Sequence, residues 1–154
     1  MAISKDKILS EVEDTAMIIK LAIKAIQKFP PKDLTTFQLD LIIKGYTKFG
    51  EEVAIASAHS KYKDIKQIKH FALTYFQEGH GTAVNHFWSE LKSANIQIER
   101  IDKLNKLLKR NKISSQMEYD YIVDAIVPLQ QENLITPEQA IKLSDMIGKF
   151  EQRK

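Results

Sequence analysis

The sequence predicts an all-α protein: a multi-helix bundle of six or seven helices that ends in a series of short helical hairpins. Three observations carry this prediction. Apolar residues recur at spacings of three and four almost throughout. Only five glycines and four prolines interrupt the chain. No segment keeps the two-residue alternation of a half-buried strand for long. The 154 residues suit one domain with a real core. A long-helix core over 1–94 is expected, with shorter hairpins over 95–154 packed on it.

The first helix is expected over about 4–28. Leu9, Val12, Ala16, Ile19, Ile23 and Ile26 step by three and four, and only Lys20 and Lys24 are charged between Ala16 and Ile26. Such a helix belongs at the centre of a bundle. Pro30-Pro31 ends it, because Pro31 disfavours the α region at Pro30. The second helix starts at Thr35, where Thr35 and Gln38 form a capping box. Its stripe of Leu39, Ile42, Tyr46, Phe49, Val53 and Ala56 runs unbroken across Gly45 and Gly50 to about residue 60. Glycine costs a helix about 1 kcal/mol against alanine, and close helix packing is the expected reason for both.

A third helix is expected over about 64–77, with Ile65, Ile68, Ala72 and Phe76 inward. Gly79-His80-Gly81 separates it from a fourth over 82–93 that carries Ala83, Phe87 and Leu91. The remainder reads as helices over about 96–110, 115–131 and 137–151. Pro128 should kink or shorten the second of these. Thr136, Pro137 and Gln139 form a capped start for the last. The segments beginning at Asn111 and Asn133 look alike, as two good helix starts would.

Composition excludes several chemistries. Without cysteine there is no disulfide, thiolate nucleophile or cysteine-based metal site. Acidic residues at 11, 13 and 14 and lysines at 20 and 24 argue against a signal peptide, and no apolar run reaches the ~18 residues of a membrane span. A cytoplasmic protein with no membrane partner is expected. Lysine outnumbers arginine 20 to 3, a bias that follows AT-rich codons and says little about function. No phosphate-binding glycine loop or nucleophile elbow is present.

Four histidines, His59, His70, His80 and His86, lack the Glu-x-x-His pairing of a carboxylate-bridged metal site. No metal, cofactor or catalytic residue is therefore expected. His80 stands out as a ligand candidate, with Thr82 at the following helix start, because flanking glycines permit close approach. Asp120 and Asp124 lie one turn apart, on the solvated side of a helix whose stripe is Tyr119, Ile122, Ile126 and Leu129. Trp88 beside Phe87 is an interface candidate.

Charge is the strongest signal outside the core. Arg100, Lys103, Lys106, Lys109, Arg110 and Lys112 face only Asp102, a balance of +5, and residues 113–151 carry −5. With Ile101, Leu104 and Leu108 as its core face, the basic segment reads as a surface helix. The sequence thus favours a non-enzymatic helical module that binds proteins, including a second copy of itself. The alternative is a nucleic-acid accessory protein that sets helix 100–112 on phosphates. A small metal-dependent helical enzyme is the weakest reading.

Overall fold

The computed structural model describes residues 3–101 and 103–153. Among them are seven helices and no strand. The chain divides into two compact units, Met1–Arg100 and Ile101–Lys154.

The first unit contains α1 (Lys5–Lys28), α2 (Thr36–Ala58), α3 (Tyr62–Glu78) and α4 (Thr82–Ser93). Ser4 caps α1 through its side chain, and the Thr35–Gln38 capping box opens α2. Helix α1 touches all three of the others. Its buried residues are Thr15, Ile18, Ile19, Leu21, Ala22, Ala25 and Ile26. The inward face is therefore rotated from the expected stripe: Leu9 and Ala16 are exposed, and Thr15 is fully buried. Burial of Thr15 is tolerated because its hydroxyl donates to the Glu11 carbonyl at 2.7 Å. The Glu11 carboxylate accepts from Lys69 Nζ at 2.9 Å and ties α1 to α3.

Around α1 the core is filled by Tyr46 and Val53 of α2, by Ile68, Ala72, Leu73 and Phe76 of α3, and by Val84, Phe87 and Leu91 of α4. The rings of Phe76 and Phe87 stack 3.9 Å apart. Tyr46 donates its hydroxyl to the Ala72 carbonyl at 2.8 Å. Burial, and to a lesser degree Tyr75, pushes its phenol well above the usual value.

Helix α2 runs straight through Gly45 and Gly50, as the stripe predicts. Close packing does not explain those glycines: a Cβ at either would meet no atom within 4 Å. At Gly79, by contrast, a Cβ would lie 2.6 Å from the Tyr75 carbonyl oxygen.

Turns rely on residues that tolerate positive φ. Ser60, Asn95, Asn111 and Asn133 have φ between 53° and 59°. After three of them a backbone N–H reaches back five residues, from Lys61 to Ala56, Ile96 to Leu91 and Leu134 to Leu129, which satisfies carbonyls that the helix end would orphan.

Beyond Asn95 the structure corrects the expected helix over 96–110. Residues 96–101 are not helical, and α5 spans only Lys103–Arg110. Ile96 and Ile98 pack against the first core while Gln97 and Glu99 face out. Burial alternates residue by residue here, and the Ile98 N–H turns back to the Ile96 carbonyl at 3.2 Å. Ile101, expected inward, is exposed; Asp102 lies outside the described residues.

The second unit joins α5, α6 (Gln116–Gln131) and α7 (Pro137–Glu151). Its core comprises Leu107, Leu108, Ile113, Ile122, Ala125, Leu129, Ile135, Ala140, Leu143 and Met146. Ser115 caps α6, which continues past Pro128 to Gln131, and the Thr136–Gln139 capping box opens α7. The two similar segments are built alike: Asn111 and Asn133 take positive φ, and Ile113 and Ile135 two residues later are buried.

Gly45→Ala and Gly50→Ala should each stabilise the protein by about 0.5–1 kcal/mol, since a methyl there meets nothing and the unfolded chain loses freedom. Gly79→Ala should destabilise it; urea denaturation monitored by circular dichroism measures all three. Stability should also fall as pH rises above about 10. There the unfolded Tyr46 ionises while the buried phenol does not, so the unfolded state is favoured as it releases its proton. Tyr46→Phe should cost about 1 kcal/mol at neutral pH and flatten that alkaline decline.

Candidate functional site

The Gly79-His80-Gly81 segment is a true inter-helix turn. Gly79 ends α3 and donates to the Tyr75 carbonyl at 2.7 Å. Gly81 precedes α4 with φ 107°, a conformation only glycine adopts readily. Both glycines are thus required by the chain's own geometry. His80 is half-buried in this turn and Thr82 is exposed at the first position of α4.

The other histidines are dispersed. His59 is exposed at the end of α2. His70 lies beside Phe71, their ring centroids 6.2 Å apart. His86 meets the Phe29 ring edge-on, with centroids 5.1 Å apart. Among the described residues no three His, Asp or Glu side chains gather where they could hold a metal ion. Asp120 and Asp124 are exposed on α6, and Asp120 accepts from the Gln116 amide at 3.0 Å.

Trp88 sits at the edge of the first core. Its indole N–H donates to the Phe76 carbonyl at 2.9 Å, and its ring meets Phe87 edge-on. Phe87 takes the inward position and Trp88 closes the rim beside it, so the two large neighbours are accommodated within one chain.

The six basic candidates have different local settings. Arg100 belongs to the first unit, where its guanidinium donates to the Gly79 carbonyl at 3.2 Å and to Asn85 Oδ1 at 3.3 Å. Arg110 donates to the Lys112 carbonyl at 3.0 Å and pairs with Glu118. Lys103 lies over the Tyr121 ring, 5.7 Å from its centroid. Lys106, Lys109 and Lys112 are exposed.

Sequence reading passed over a different feature. Phe37 and Leu41, one turn apart on α2, are 72% and 51% exposed. Val123 and Val127, one turn apart on α6, are 42% and 53% exposed. All four lie off the inward stripes, and at about 100° per residue they point away from them. That offset was the available signal. Lone exposed apolar residues are ordinary, whereas adjacent ones form a patch.

Comparison with protein-family models, with curated proteins and with solved structures finds no match to this chain. No helix among the described residues is long and apolar enough to cross a membrane.

Trp88→Phe should remove one hydrogen bond and lower stability by about 1 kcal/mol, while leaving any self-association unchanged. Chemical denaturation and sedimentation of that variant check the two parts separately.

Proposed function

We propose that the chain is a cytoplasmic helical module that works by binding proteins, without catalysis, and that it associates with copies of itself. The observation that carries this reading is the pair of exposed apolar rows, Phe37 with Leu41 and Val123 with Val127. Each buried side chain of this size contributes roughly 1.5–3 kcal/mol. Association itself costs several kcal/mol, so two small rows support micromolar rather than nanomolar affinity. Weak, concentration-dependent pairing is the behaviour expected.

The nucleic-acid reading draws less support. Arginine makes the commonest specific contact to guanine, and Arg100 and Arg110 are both engaged within the chain. The metal-dependent enzymatic reading has no group of three His, Asp or Glu side chains among the described residues placed to hold a metal ion.

Sedimentation velocity from about 1 to about 100 μM, the range of micromolar affinity, tests the proposal. The mass-averaged sedimentation coefficient should rise across that range. Added duplex DNA or single-stranded RNA at low salt should leave it unchanged. A monomer at every concentration would overturn self-association, and co-sedimentation with nucleic acid would favour the alternative.

A further inference from the structure

The geometry points to a specific contact: the outward row of α2 docks antiparallel on the outward row of α6 of a second copy. This rests on the reading of a self-associating module and names the surfaces it uses.

At about 100° per residue, Phe37, Leu41, Lys44 and Lys48 share one outward row on α2, and all four are exposed. Its sequence order is an apolar pair and then a basic pair. On α6 the outward row is Gln116, Asp120, Val123 and Val127, also exposed. Its order is polar, acidic and then an apolar pair. Helix α6 contains Glu118, Asp120 and Asp124 and no lysine or arginine.

Laid antiparallel, the two rows match position by position. Phe37 meets Val127, Leu41 meets Val123, Lys44 meets Asp120 and Lys48 meets Gln116. Apolar side chains face apolar side chains, and the ammonium group of Lys44 faces the Asp120 carboxylate. Asp120 accepts one hydrogen bond from Gln116, and a carboxylate has capacity for further donors. The one like-charge pair at matching height, Asp40 with Asp124, falls on opposite flanks of the contact. In an antiparallel pair, residues offset in opposite senses from the contact line lie on opposite sides of it. Complementary charge then sets orientation and register, and the apolar pairs supply the affinity.

The occupant is a second copy, argued from complementarity: the α2 row ends in two lysines, and the α6 row, on a helix without lysine or arginine, sets Asp120 opposite Lys44. Each protomer offers one α2 row and one α6 row, so the contact is heterologous: it closes into a ring or extends into a longer assembly.

A charge exchange tests this. The first variant carries Lys44→Glu and Lys48→Glu; the second carries Gln116→Lys and Asp120→Lys, at the positions that face them. Every substituted residue is exposed, and circular dichroism checks that each variant folds. At low salt, sedimentation should show self-association of each variant weakened by on the order of tenfold, as attraction becomes repulsion. An equimolar mixture of the two should regain association, because the acidic row of one now meets the basic row of the other. Recovery in the mixture could not arise from misfolded variants. If the wild type associates and both variants associate equally well, this contact is wrong and the module reading stands. If the mixture fails to recover, the pairing is likewise overturned. A wild-type monomer at all concentrations overturns both the contact and the self-association on which it rests. A monomer that expands on charge reversal would place the pairing within one chain and overturn the second-copy assignment.

Discussion

Burial of one face of α1 against three other helices is the constraint on which the first unit depends. Ile18, Ala22 and Ala25 have no solvent exposure, and small side chains at two of these positions let neighbouring helices approach closely. The neighbours answer with large ones: Phe76 and Phe87 stack in the same core and are themselves fully buried. Removing a buried Phe from such a core typically costs about 3–5 kcal/mol, so these two rings fix how α3 and α4 meet. The turn between those helices is then short of space. Gly79 is required because Tyr75 and Val84 leave no room for a Cβ. Arg100 returns to the Gly79 carbonyl, and Trp88 donates to the Phe76 carbonyl. Trp88 and Arg100 thus both meet carbonyls at the end of α3 and the turn that follows it.

The second unit meets a different constraint, namely size. A unit of fewer than about 60 residues buries a smaller share of its surface than a larger domain does. Its core holds ten buried residues from α5, α6, α7 and the segments between them. Helix termini are tightly specified to compensate: positive-φ Asn, a buried Ile shortly after, then a Ser or Thr cap. Apolar residues beyond what three short helices can enclose remain outside, among them Met117, Val123, Val127 and Ile141. The same shortage of interior that limits the unit supplies the surface on which binding is proposed.

Charge redistributes in the same way. In the sequence Arg100 and Arg110 belong to one basic block of net +5. In three dimensions Arg100 belongs to the first unit and Arg110 is tied to Glu118. A guanidinium with several donors in a fixed fork readily satisfies carbonyls and carboxylates of its own chain, whereas lysines at 106, 109 and 112 remain in solvent. Counting charges along a chain cannot separate these outcomes, because both are compatible with the same local composition.

The sequence by itself determined the helical class, the caps at Thr35 and Thr136, and helices 82–93 and 137–151 to the residue. It also determined the inward stripes of α2 and α3. These follow from local rules: side-chain capping within three residues and the 3.6-residue period of apolar burial. Tertiary structure decided what local rules leave open. It rotated the buried face of α1 to include Thr15, whose hydroxyl found a partner one turn back. It kept residues 96–101 out of a helix, with Ile96 and Ile98 packed against the first core. It gave the tolerated glycines of α2 empty space and the required glycine of the 79–81 turn a crowded carbonyl. For the candidate surfaces, residue types were legible but exposure was not. Whether Phe37 or Val127 is covered depends on which helices pack beside them, and that is a property of the folded chain alone.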